Sequence, residues 1–338
     1  MKATKKLIVA AVSLALTASL TVGSTFAWFA YQSNVSLESV QFSVDSGDEN
    51  LMVAVTSDLE TEPAASSFAY SLSQEAIKNQ INGGSDVVYQ PLTVKDDGSN
   101  TVNDDNAIAL VKSDESSTAE AASYAQFVLV FRYTPATGAS SMPDLILDNG
   151  SQVNPVEPDG SAFKPAIDCI AWETTSKYGT AVTQDQPIVA RASNAARVAF
   201  LYQSGGATKN KVWAPNEALA PLTEDTSSDK TSDTPKGFYL GNLASDYNIH
   251  HELTSIPVTA PTYAARVYAG ISSPTQAEDF TNSTIATFPQ PADGKSYSEL
   301  KLTVKVWLEG KDGDCLPSVQ EDIFAFLLKF RTSTIKEA

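Results

Sequence analysis

The segment from Glu299 to Glu309 constrains the fold more than any other. Leu300, Leu302, Val304, Val306 and Leu308 occupy every second position, with Lys301, Thr303 and Lys305 between them. Successive side chains of a strand point to opposite faces, so this period of two predicts a strand with one apolar and one wet face. Past the turn-like Lys311-Asp312-Gly313-Asp314 the pattern returns: Phe324, Phe326, Leu328 and Phe330 alternate with Ala325, Leu327 and Lys329. The two strands could pair with each other, although the connection is longer than a tight hairpin.

Shorter runs of the same kind are Val40-Phe42-Val44, Leu51 to Val55, Val87 to Tyr89, Phe127 to Tyr133, Ile167 to Trp172, Ile188 to Ala190, Val198 to Tyr202 and Arg266 to Ala269. They are separated by Gly, Pro, Asn, Asp and Ser, the residues of turns. Many short strands predict an all-β chain, a jelly-roll-like β-sandwich with long acidic loop insertions and at most one or two short helices. The helical signal is confined to Ser73 to Ile81, capped by Ser71 or Ser73, and one turn at Glu217 to Ala220. Lys95 to Ser123, apart from Ala107 to Val111, and Thr223 to Gly237 read as exposed loops. Nothing in the composition cuts the chain cleanly in two. The expected organisation is one elaborated domain over residues 28–338, with a boundary inside 135–165 as the alternative.

The first residues read as an address. Lys2, Lys5 and Lys6 form a positive region, Leu7 to Val22 is a run of apolar, Ser and Thr residues, and Gly23-Ser24-Thr25-Phe26-Ala27 has the small residues of a cleavage site. This is the pattern of a secretory signal peptide spanning residues 1–27. A membrane-spanning helix needs about 20 predominantly apolar residues, and this run is shorter and diluted by Ser and Thr. Cleavage between Ala27 and Trp28 removes three lysines and no acid, taking the formal charge from −17 to −20. Such a charge favours solubility and repels nucleic acid.

Little chemistry is on offer. Two His and two Cys are too few for multi-histidine metal sites, zinc fingers or a disulfide-dense scaffold. His250 and His251 are adjacent and cannot easily serve one metal, and Glu252 does not complete a His-Glu-x-x-His motif. No Gly-x-Ser-x-Gly elbow, Gly-rich phosphate loop or dinucleotide fingerprint occurs. Cys169 sits in an apolar strand-like segment, where a thiol acts as a small hydrophobe. Alternatively, Cys169 and Cys315 pair in an oxidising compartment, a closure worth about 4 to 5 kcal/mol in the chain-entropy model. The acidic turns holding Asp96, Asp97, Asp104, Asp105, Asp312 and Asp314 supply oxygens that suit calcium, yet none forms an EF-hand loop and all fit ordinary turn chemistry. Apart from calcium, no cofactor is indicated.

The junction Gly23-Ser24-Thr25-Phe26-Ala27-Trp28-Phe29 resembles the export signals of the TasA/camelysin family of Gram-positive surface proteins. In those signals a Gly-rich end runs into Thr-aromatic-Ala and an aromatic-rich mature start, processed by a SipW-type signal peptidase. The segment Val304 to Cys315, with Trp307-Leu308-Glu309-Gly310 and Asp312, resembles uncharacterised secreted proteins with the same kind of signal. Arg197-Val198-Ala199-Phe200 and Val212-Trp213-Ala214-Pro215-Asn216 resemble the same pattern. The resemblance implies export, a jelly-roll-like sandwich and, as in TasA-type members, assembly into biofilm-matrix fibres by donor-strand exchange. Phe29, Tyr31, Val35 and Leu37 would then lie on the donated strand, because main-chain pairing to an open sheet edge is an established mode of assembly. Camelysin is classed as a metallo-endopeptidase, but no His-Glu-x-x-His helix is here to carry that activity.

The expected function is therefore non-enzymatic: a secreted cell-surface or extracellular-matrix structural protein of a Gram-positive bacterium. Its partners would be copies of itself or other surface proteins, with a signal peptidase during export and no nucleic acid. The alternatives are a monomeric adhesin that binds carbohydrate or protein through aromatics such as Trp213 or Tyr178, and a secreted metallo-endopeptidase.

Overall fold

The computed structural model describes residues 36–44, 50–95, 101–102, 108–113, 117–148, 150–156, 166–169, 174–175, 181–182, 187–215, 267–268, 283–310, 312, 315, 319 and 322–333. The signal region, His250 and His251, and the stretches at 217–220 and 223–237 lie outside these residues.

The first half of the chain gives β1 (Ser36–Val44), β2 (Leu51–Thr56), β3 (Ser71–Leu72), helix α1 (Gln74–Lys78), β4 (Pro91–Val94), β5 (Thr101–Val102), β6 (Leu110–Lys112), β7 (Ala125–Tyr133), β8 (Asp144–Leu147) and β9 (Gln152–Pro155). Then come β10 (Ala166–Cys169), β11 (Thr174–Thr175), β12 (Ala181–Val182), β13 (Pro187–Ala190), helix α2 (Ala192–Ala195), β14 (Ala196–Ser204) and β15 (Ala207–Trp213). The remainder is β16 (Val267–Tyr268), β17 (Thr284–Thr287), β18 (Ser298–Glu309) and β19 (Ile323–Thr332).

Two sheets dominate. In the seven-stranded sheet β18 is central, with β14 and then β15 on one side. Its other side is taken by β7 along Ser298 to Val306 and then, in parallel, by β4 at Leu308 and Glu309; β2 lies outside β7 and β6 outside β4. In the six-stranded sheet β19 is central, flanked by parallel β1 on one side and by β9 and β8 on the other, with β3 and β17 outermost. Short ribbons pair β10 with β13, β11 with β12 and β16 with β5. The molecule is mostly β, an all-β sandwich with two short helices among the described residues.

The sequence leaves open whether the strands around Glu299–Glu309 and Phe324–Phe330 pair; in the structure they do not. They lie in different sheets and face each other across the core. Each carries a continuous apolar face that must be buried, and opposing them lets one face cover the other. Phe330 meets Phe131 edge-on at 5.0 Å and Phe200 at 6.2 Å, so one aromatic of β19 locks against both β7 and β14. β8 and β9, which fall inside the 135–165 stretch, both pair with β19 and so belong to the same sheet.

The wet face expected of β18 is wet only in its first part. Lys301, Thr303 and Lys305 are half-buried, whereas Trp307 and Glu309, on that same face, are fully buried. Leu92, Val94, Ile108 and Leu110 fold over that end and enclose Trp307 with Ala199 and Val212 in a second apolar cluster. The expected strand at Val87 to Tyr89 forms instead at Pro91–Val94.

Local chemistry sets the turns. Ser73 caps α1, its Oγ accepting from the Ala76 N–H at 3.2 Å, and the helix ends at Lys78, short of Ile81. Asn82 follows in a left-handed conformation, φ 48°. Its amide donates to the carbonyls of Tyr124 (2.8 Å) and Ala121 (3.1 Å) and accepts from the Gln126 N–H (2.8 Å), which ties this turn to the start of β7. The β14–β15 hairpin turns through Gly205 and Gly206, φ 60° and 79°, as a two-residue loop with both φ values positive requires.

Candidate functional site

Three places have the geometry to do something: the seat of β1, a buried charge cluster at the end of β18, and a groove on the outer face of the seven-stranded sheet.

β1 pairs with β19 in parallel from Ser36↔Ile323 to Val44↔Phe330, with one irregularity between Leu37 and Ser39. On its other edge the partner among the described residues is β3, at Phe42↔Leu72 and Ser43↔Ser71. A parallel neighbour cannot be reached by a tight hairpin, and here almost the whole chain lies between the two strands. The β1–β19 ladder is thus held by main-chain bonds between segments with no local connection. Of the expected donor-strand residues, Leu37 lies on β1 opposite Phe324, while Phe29, Tyr31 and Val35 lie outside the described residues, as do Ala27 and Trp28 of the cleavage site.

At the far end of β18 the two motif-bearing segments meet. β14 sets Arg197 opposite Trp307 and Val198 opposite Val306, and β15 sets Trp213 opposite Val198. Arg197 is fully buried, and its guanidinium donates to the Asp312 carboxylate at 2.5 Å and to the carbonyls of Asn194 and Ala196 at 3.1 Å each. Trp307 Nε1 points at Glu309 Oε2, 3.5 Å away, and Cys315 is buried in the turn that Asp312 closes. Asp312, one of the acids expected to suit calcium, therefore neutralises an internal arginine. Asp96, Asp97, Asp104, Asp105 and Asp314 lie outside the described residues, and among those described no cluster of three or more His, Cys, Asp or Glu could hold a metal. The side chain of Cys169, on β10, also lies outside them, so its proposed bond to Cys315 falls beyond the described geometry.

Trp213 is 2% exposed and packs in the core, so it does not serve as a surface contact; its position in β15 beside the fully paired β14 explains why. Tyr178 lies outside the described residues. What the outer surface does present is a groove of about 780 Å³ running along β18. Lys301, Thr303 and Lys305 form its floor, Gln126 of β7 one flank, and Leu201 and Gln203 of β14 the other. Lys301 donates to the Glu62 carboxylate at 2.6 Å and to the Leu59 carbonyl at 2.9 Å, a bond that holds the Glu62 carboxyl below the usual carboxylate range. Beside it Arg132 pairs with Glu299 at 3.0 Å and stacks 3.7 Å over the Phe68 ring.

Lys305 differs. Its Nζ donates to the Ile108 carbonyl at 3.2 Å and lies 5.6 Å from the Tyr124 ring, with no carboxylate in ion-pair range among the described residues. Burial holds its ammonium below the ordinary lysine range. Sequence reasoning assigned Lys305 to a solvated strand face and passed over the groove. The alternation that placed it outward was the available signal, but only the flanking strands show that the outward face is concave. Comparison with protein-family models, with curated proteins and with solved structures finds no match for this chain.

Proposed function

We propose that this chain is a non-enzymatic, secreted structural protein of the cell surface or extracellular matrix of a Gram-positive bacterium, self-associating into fibres. The observation that carries the reading is the seat of β1. A strand joined to its sheet by main-chain pairing, far in sequence from its partner, can be supplied by another copy, since β-augmentation draws its affinity from backbone hydrogen bonds. Exchange of one element between copies conserves every contact of the closed monomer and changes only connectivity. Removal of residues 1–27 by a signal peptidase would leave the segment leading into β1 as the new N-terminus, the place from which such a strand is donated.

The finer resemblance to TasA-like jelly rolls and to a biofilm-matrix role belongs to the same proposal and is supported by the motif residues quoted above. The test is electron microscopy of the chain beginning at Trp28, with and without an excess of a synthetic peptide spanning residues 28–44. Filaments that shorten or vanish with the peptide support the reading. A chain that stays monomeric across pH and calcium concentration contradicts it.

A further inference from the structure

We propose that the groove along the outer face of β18 is a binding site for an acidic polysaccharide, with Lys305 receiving a carboxylate of the sugar. This site is independent of self-association, because none of its lining residues lies on β1.

The first argument is charge. The chain carries 40 acids against 23 Lys and Arg, so carboxylates are abundant, and Lys301, Arg132, Arg197 and Arg331 each have one within 3.1 Å. Lys305 is half-buried in the groove with a backbone carbonyl and an aromatic ring as neighbours instead. A desolvated cation with no counter-charge among the described residues costs stability, and an anionic group entering the groove relieves that cost.

The second argument is the lining. Gln126 is the register partner of Lys305 on β7, and the groove further offers the hydroxyl of Thr303, the amide of Gln203 and the apolar Leu201, while the Glu299 carboxylate in its lining is held by Arg132 at 3.0 Å. Hydroxyl-rich sugar edges suit the amides and the hydroxyl, and the C–H faces of a pyranose suit Leu201. The volume falls in the range of about 300 to 1,000 Å³ typical of small-ligand sites. An acidic peptide fits less well at Lys305: extended peptides are captured at strand edges through backbone bonds, and from Thr303 to Val306 the floor strand is already paired with β14 on one side and β7 on the other. The strongly acidic remainder of the protein repels polyanions at long range, so binding should be modest and confined to short oligomers.

The experiment is titration calorimetry of the chain beginning at Trp28 with hexagalacturonate, beside a neutral galactohexaose and a hexaglutamate peptide. Hexagalacturonate should bind at least tenfold more tightly than the other two. Lys305→Met should weaken it at least tenfold, Lys305→Arg should restore most of the affinity, and Lys78→Met on exposed α1 should leave it unchanged. Because Lys305→Met removes a desolvated charge, its thermal midpoint should equal or exceed that of the parent, and Lys305→Gln provides a second uncharged variant. Absence of hexagalacturonate binding, equal binding of the neutral sugar, or indifference to both uncharged variants overturns the proposal. Preference for hexaglutamate also overturns it, in favour of an acidic protein segment.

Discussion

Consider Asp312→Ala. The substitution takes the carboxylate from a guanidinium that has no exposed surface, across a contact of 2.5 Å between groups whose side chains are 0% and 4% exposed. Two unit charges about 4 Å apart at an effective dielectric constant near 20 interact by roughly 4 kcal/mol. Breaking one partner of a buried pair costs about 3 to 5 kcal/mol, because the remaining charge stays buried. Arg197 keeps its bonds to the carbonyls of Asn194 and Ala196, which places the expected loss at the lower end, about 3 kcal/mol. Arg197→Met, which strands Asp312 instead, should cost a comparable amount. The double variant Arg197→Met/Asp312→Leu should recover most of the loss, since apolar replacement of a whole buried pair is often neutral or stabilising. Urea unfolding at constant m-value measures all four corners of the cycle. A loss below about 1 kcal/mol for Asp312→Ala, the value of an exposed pair, would refute the claim that this charge is buried and compensated by Asp312.

Gly310→Ala should destabilise by about 1 to 3 kcal/mol through overpacking, because its methyl would stand 2.5 Å from Ser113 Cβ and 2.7 Å from Pro91 Cβ; the thermal midpoint reports it. Tyr89→Phe should stabilise by roughly 1 to 3 kcal/mol, since the fully buried Tyr89 hydroxyl has no hydrogen-bond partner among the described residues; a loss of stability in urea unfolding would contradict this. Lys305 makes a pH-dependent contribution of definite sign. Its folded value lies below the ordinary one near 10.4, so in that window the unfolded chain binds more protons and this contribution rises with pH. Stability measured from pH 8 to 10 should therefore climb more steeply in the parent than in Lys305→Met.

Much of the architecture was legible because burial on a sheet face writes itself as alternation. Leu300 to Leu308 and Phe324 to Phe330 reach the core as their spacing predicts, and Ser73 caps α1 as its position before a helical run predicts. Alternation names a face but not the layer that covers it. Hence alternation alone leaves the pairing of β18 and β19 open, and the burial of Trp307 and Glu309 depends on β4 and β6, which are distant in sequence. The Arg197–Asp312 pair was invisible for the same reason. In sequence Asp312 precedes a glycine and looks like any solvated turn, and its partner lies 115 residues away. The groove escaped notice because concavity arises from three strands together.

The claim that β1 is exchanged between copies is tested most directly by cross-linking. Ser39 of β1 and Ala325 of β19 are register partners. One chain carrying Ser39→Cys and another carrying Ala325→Cys, each beginning at Trp28, are assembled together, oxidised and run without reductant. Strand exchange predicts a covalent dimer in the mixture that neither singly substituted chain nor the parent forms alone. A mixture that assembles yet yields no such dimer, while the chain carrying both substitutions closes the bond within itself, would contradict exchange.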